Sequence, residues 1–288
     1  MTIAILYLFA IASAELVTAL VNPTLGIAFH VILLFALIIH AYFATRHPGH
    51  RSRHVALPGV KRSPVQMPYD GYEKSSRVRD APGDVQLAPK LYLALSLAPL
   101  IRIFSLLMPL AEFSQIYWYL IISLPLLAGI FAIVITFKLR PREIGLSMGA
   151  IPLQVVVALA GIGLGFVDYL ILEPELLVEA LGWQQLIAPA LVLLVATGFV
   201  EELVFRGVMQ RASVQALGAW GWVYIAVLYS VLQIGHLSAI HCWFALVVAL
   251  LFGFIVKKTG SLLGVSLSHG IINIALYLVF PFLIQQGL

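Results

Sequence analysis

Of the 288 residues, 61% are hydrophobic and only 10% are charged, with a formal net charge of +4. Ordinary soluble domains carry about 25% charged residues, so this composition excludes a water-exposed globular surface and calls for one that faces lipid. The basic residues sit in loops between apolar runs, which sets nucleic acid aside as a partner, and the single cysteine, Cys242, excludes an intramolecular disulfide.

About 20 mostly apolar residues span the roughly 30 Å of bilayer hydrocarbon. On that length the sequence predicts helices at 2–20, 25–44, 91–111, 117–137, 151–172, 185–210, 219–237, 241–256 and 261–283. The segment at 241–256 is short and its start is soft. The expected fold is therefore all-α, a polytopic transmembrane helix bundle of about eight or nine spans. The first run has no basic n-region and no small-residue cleavage site, so it reads as a retained span. Residues 45–90 hold nine Lys/Arg, four Asp/Glu and six prolines, the composition of an irregular polar loop. Positive-inside bias places this loop and the N-terminus in the cytoplasm. The same side then receives "KLRPRE" (138–143), Arg206, Arg211 and Lys257–Lys258, while the acidic "EPELLVEA" (173–180) falls opposite. The expected organisation is an N-terminal pair of spans (1–44), a basic loop (45–90), spans three and four (91–139) and a C-terminal core (140–288). The basic loop could bind anionic lipid or act as a linker.

Ionisable side chains at bilayer depth are functional hypotheses by default. They are Glu15, Arg102, Glu112, Asp168, Glu201, Glu202, Arg206, His30, His40, His236, His241 and His269. Partners for Glu15, Arg102 and Asp168 are not legible in the sequence. His30 and His40 read as packing residues and His241 as a loop or interface residue. The uncharged run "LIAPALVLLVATGFV" (186–200) leads straight into "EELVFR" (201–206). Glu202 and Arg206 are four apart and share a helix face. Glu201 is turned roughly 100° away with no local cation. Taking Arg211 as the interface, Glu201 lies roughly 15 Å deep at 1.5 Å per residue, so it must face a cavity, water or another helix. Two further spans each carry one polar cluster: His236 ends "AVLYSVLQIGH", and His269 and Asn273 lie one turn apart in "GVSLSHGIINI". A glutamate with a histidine can hold and deprotonate water. A second histidine with an asparagine amide can donate to the oxyanion of a tetrahedral intermediate. The aromatic belt "WGWVY" (220–224) would place His236 deeper than Glu201, so span seven must tilt, break or start shallow for the two to meet.

These residues resemble a known family. "EELVFR" is similar to the EExxxR motif of the CAAX-processing endoprotease and bacteriocin-processing family of intramembrane glutamic proteases, the type that includes the Ras-converting enzyme. His236 resembles its FxxxH motif, with Leu232 where phenylalanine is usual, and His269–Asn273 resembles HxxxN. The resemblance covers about 140–288. It implies Glu201 as general base with His236 helping to hold water, His269 and Asn273 as the oxyanion site, and Glu202 and Arg206 shaping the site. It also implies no metal or other cofactor, and a peptide or lipidated protein substrate beside the membrane lipid itself. The expected site opens toward the cytoplasmic half of the bilayer. Rival readings are a zinc-dependent membrane protease, since one Glu and two His form a common zinc set although no HExxH is present, a non-catalytic scaffold or immunity-type protein, and a transporter or channel.

Overall fold

The computed structural model describes residues 1–46, 87–110, 113–179 and 182–287, and every regular element among them is helical. Most of the predicted 45–90 loop, and Glu112, lie outside the described residues. Helices follow from the solvent: in hydrocarbon the backbone must satisfy its own hydrogen bonds.

The chain enters with α1 (Thr2–Leu20) and α2 (Pro23–Arg46). Their turn is set by Asn22, whose Oδ1 accepts the backbone N–H of Thr24 and Leu25 at 2.8 and 3.2 Å. Pro23, which has no donor to leave unpaired, opens α2. Helices α3 (Leu87–Leu95) and α4 (Leu97–Leu107) run on as one span, followed by α5 (Gln115–Thr136) and α6 (Ile151–Leu172). Helix α6 stops where Glu173 takes a left-handed φ of 42° just before Pro174.

Next comes a long continuous helix: α7 (Trp183–Val192), a π-helical stretch Leu193–Phe199, α8 (Val200–Glu202), a second π-helical stretch Leu203–Met209, and α9 (Gln210–Leu217). It is followed by α10 (Gly221–Val231), α11 (Ala239–Thr259), α12 (Leu263–Ile274), a π-helical stretch Ala275–Val279, and α13 (Phe280–Gln285).

Eight helical stretches among the described residues are long and apolar enough to cross a membrane. One of them, Trp183–His236, has 54 residues, far more than a single crossing needs. It folds back on itself at Gly218, which sits at φ 69°. Beyond the turn Gly221 packs so closely on Ser213 that a Cβ there would lie 2.3 Å from its carbonyl carbon. The predicted spans at 185–210 and 219–237 are the two arms of this hairpin.

Among the described residues a large apolar core runs through the molecule beside a smaller one of Ile116, Leu186, Leu193, Leu278 and Phe282. Ile11 and Leu37 of the N-terminal pair, Leu97 of α4, Val204, Leu228 of α10 and Phe252 of α11 all belong to the large core. Large apolar side chains such as Phe9, Phe35, Phe131, Leu191 and Trp243 cover the outside, as lipid contact requires.

The basic segments gather at one end. Arg211 donates to the Glu143 carboxylate at 2.9 Å and to its carbonyl at 2.8 Å. Leu262 N–H reaches the Gly145 carbonyl at 2.9 Å, and the Ser261 hydroxyl reaches the Ser147 carbonyl at 2.6 Å. Lys257 stands 5.0 Å over the Trp222 ring. Tyr224 donates to the carbonyl of Ala4 at 2.8 Å, which puts the N-terminus at the same end.

Candidate active site

Helix α12 carries His269 and Asn273 into the centre of the bundle because small residues let it in. At Gly161 of α6 a Cβ would lie 2.6 Å from the Ser268 carbonyl oxygen, and at Gly198 one would lie 2.6 Å from the Ser266 carbonyl oxygen and 2.7 Å from the Gly270 nitrogen. Both contacts are backbone against helix, the close approach that small residues permit inside membranes.

Glu201 and Glu202 sit on a short α-helical stretch flanked by π-helical turns, a distortion that often marks functional positions. Their environments differ as helix geometry predicts. The Glu202 side chain is fully buried. Its Oε1 accepts from Arg206 Nη1 at 2.9 Å and from His269 Nδ1 at 2.8 Å. Arg206, also buried, stacks its guanidinium 4.9 Å above the Tyr229 ring, which replaces part of the hydration the charge has lost. Glu201 keeps 30% of its side chain exposed and faces a cavity, with Oε2 3.9 Å from His269 Nε2. His269 thus spans the two carboxylates. An ionised carboxylate can only accept, so Nδ1 gives its proton to Glu202 and Nε2 is the atom presented to Glu201 and the cavity. Asn273 Nδ2 donates to Thr197 Oγ1 at 2.8 Å, leaving its second amide hydrogen available.

His236 lies in the turn after α10. The helix ends at Val231 and a 3-10 turn, Ile234–His236, follows. This break answers the depth conflict set by the aromatic belt, and His236 and Glu201 line the same cavity. The cavity, about 290 Å³, is also lined by Glu202, Arg206, His269 and Asn273. All six residues singled out in the sequence therefore converge on one space. A second chamber of about 620 Å³ shares Glu201, His236 and Thr197 with the first, so Glu201 and His236 stand where the two meet.

Sequence reasoning missed part of this lining. His241, read as a loop or interface residue, is buried in the first turn of α11, with Nδ1 2.9 Å from Asp168 Oδ1. Its ring lies 4.6 Å from that of His236. Asp168 and His241 were both visible as intramembrane ionisable residues, but a pair 73 positions apart has no local signature. Tyr119, Tyr229 and Tyr277 also line the cavity; tyrosines scattered among apolar runs give no such signal. The expected opening toward the basic half needs correction. Gln115 begins α5, Asp168 is near the end of α6 and His241 begins α11, so the cavity extends toward the end remote from Arg211 and Lys257.

Among the described residues no three His, Cys, Asp or Glu side chains converge in a metal-holding geometry. The partners that the sequence left open are Arg102 for Glu15 and His241 for Asp168. His30 packs against Glu15, and His40 stacks on Tyr92.

Residues 183–275 match the family described as Type II CAAX prenyl endopeptidase Rce1-like. That stretch runs from the start of α7 into the third π-helical stretch and carries all three motifs. Over that stretch the chain is similar to CAAX-type proteases, and its eight apolar helices are those of an integral multi-pass membrane protein. The matched stretch lies within the 140–288 over which the sequence resembles the family. No curated protein and no solved structure matches the chain.

Proposed function

We propose that the protein is an intramembrane endopeptidase in which Glu201 is the general base. The observation that carries this is the inequality of the two adjacent glutamates. Glu202 is buried and committed to Arg206 and His269, whereas Glu201 faces the cavity at the junction of two chambers.

In this mechanism Glu201 and His236 hold a water molecule. Glu201 takes its proton as the oxygen attacks the scissile carbonyl carbon. Negative charge develops on the carbonyl oxygen, which His269 Nε2–H and the second Asn273 amide hydrogen stabilise. His269 donates from Nε2 while Nδ1 is held by Glu202, so it acts as the doubly protonated ring, and Glu202 supplies the counter-charge. As the C–N bond breaks, Glu201 returns its proton to the leaving amine. Arg206 pairs with Glu202 and balances its charge. The mechanism needs no metal.

The matching family's description makes a prenylated C-terminal segment the first substrate to test. We extend the catalytic unit upstream to α6, because Gly161 seats α12 and Asp168 holds His241. The basic loops and N-terminus are assigned to the cytoplasm on positive-inside bias.

The test uses the purified full chain with farnesylated and free peptides, wild type against Glu201→Gln, with and without a zinc chelator. Cleavage that is abolished by Glu201→Gln and indifferent to chelator is the expected result. Loss with chelator would make the same residues metal ligands. Cleavage that survives Glu201→Gln would end the proposed mechanism.

A further inference from the structure

The larger chamber contains one cation that the mechanism does not use. Arg102, on α4, reaches it from outside the family-matched segment, and its side chain retains 14% exposure. An arginine at bilayer depth that borders a cavity needs a reason.

Its three nitrogens are not equivalent. Nε donates to Glu15 Oε1 at 2.5 Å and Nη1 to Ser105 Oγ at 3.2 Å. Glu15 is fully buried on α1, and His30 Nε2 lies 3.2 Å from the same oxygen. Glu15 thus grips the inner edge of the guanidinium and fixes its plane. The outer edge, Nη2, has no protein partner among the described residues and is turned toward Gly235. A Cβ at Gly235 would lie 3.2 Å from Nη2, so any larger residue there would crowd that edge. The neighbouring chamber wall is apolar, with Ile101, Leu106, Trp118, Ile122 and Leu126. Glu201 and His236 line the same chamber.

We propose that Arg102 anchors the free α-carboxylate of the substrate's C-terminus, so that the chamber holds the apolar fragment released on cleavage. This rests on the protease reading of Glu201. The chemistry has three parts. A guanidinium recognises a carboxylate through its planar fork, and a desolvated site strengthens that pairing. The chamber volume lies within the range of peptide- and drug-sized sites, roughly 300–1,000 Å³, and its wall suits aliphatic side chains. As the proposed general base Glu201 acts in its anionic form, so a carboxylate is placed at the Arg102 end and the scissile carbonyl at the Glu201 end. Phosphate groups of lipid could pair with the same edge; the peptide carboxylate is favoured because the chamber is continuous with the catalytic pair.

The experiment reads binding, which does not depend on turnover. A dansyl-tagged apolar tripeptide, as free acid and as C-terminal amide, is titrated into the purified full chain in detergent and followed by fluorescence. The acid should bind wild type at least tenfold more tightly than the amide. Arg102→Gln should erase that ratio and Arg102→Lys should retain part of it. Because Arg102→Gln leaves Glu15 buried without its cation, the double variant Glu15→Gln/Arg102→Gln is measured beside it and should also show a ratio near one. Equal binding of acid and amide to wild type overturns the proposal without reference to any variant. So does a ratio that persists in the folded double variant, or one abolished by micelles containing phosphatidic acid, which would assign the edge to lipid. Glu201→Gln should keep the acid preference. If that variant still cleaves peptide while the preference stands, the catalytic assignment fails and the carboxylate subsite does not.

Discussion

Gly198→Ala is a severe test of how the site is positioned. In the present structure a Cβ at 198 would meet the Ser266 carbonyl oxygen at 2.6 Å, the Gly270 nitrogen at 2.7 Å and the Gly270 Cα at 2.8 Å. Ordinary van der Waals contact begins at 3.4 Å, so α12 must retreat by up to about 0.8 Å. The obstacle is backbone, which has no rotamer to change. His269 precedes Gly270, and Glu202 lies one turn beyond Gly198 on the facing helix, so the retreat stretches the bond between His269 and Glu202. Starting from 2.8 Å, a full displacement carries it to about 3.6 Å, beyond hydrogen-bonding range. Overpacking of this kind costs roughly 1–3 kcal/mol of stability, and misplacement near 1 Å can cost about 10²-fold in rate. The assay is peptide cleavage by purified protein alongside thermal unfolding in the same detergent. The expected result is a kcat fall of roughly 10- to 100-fold with a lowered Tm. A variant with wild-type Tm and more than half the wild-type kcat would refute the reasoning, because the contact would then be neither tight nor coupled to His269.

Glu202→Gln strands the buried Arg206 charge and should destabilise by about 3–5 kcal/mol, as removing one partner of a buried pair does; denaturant unfolding of the single variant against Glu202→Gln/Arg206→Met should show recovery in the double. Asp168→Asn removes the anionic acceptor of His241, and through it the support of the His236 ring; roughly a tenfold to hundredfold loss of kcat with little change in Tm is expected. Glu143→Gln breaks the buried pair with Arg211 at the basic end, far from the cavity. It should lower Tm while kcat per folded molecule stays unchanged, and a matching fall in kcat would show that this end governs the site.

The all-helical bundle was legible because a 61% apolar composition leaves few other folds in lipid. The separation of Glu201 from Glu202 was legible because adjacent residues on a helix must point apart. The pairing of Glu202 with Arg206 follows from their spacing of four. Contacts that depend on the packing of distant helices were not legible. The bond from His269 to Glu202 joins residues 67 apart, and that from Asp168 to His241 joins residues 73 apart. The aromatic belt fixed the start of α10, but no residue pattern announced that the helix would stop at Val231 and bring His236 to Glu201. The reversal at Gly218, by contrast, was legible, because the polar stretch Gln210–Leu217 separates two apolar runs.

The remoteness of the chambers from the basic end bears on which proteins can be cut. Under the orientation that positive-inside bias assigns, Arg211 and Lys257 mark the cytosolic boundary, and the chambers open the opposite half of the bundle. A polypeptide arriving from the cytosol would have to thread past Arg206 and the packed core to present its bond to Glu201. One reaching the opposite face meets no such barrier, because Gln115, Asp168 and His241 line the cavity at that end. Determining which face of the membrane the Gln115 end occupies, by tagging each terminus in sealed vesicles, therefore decides which pool of candidate substrates is worth screening.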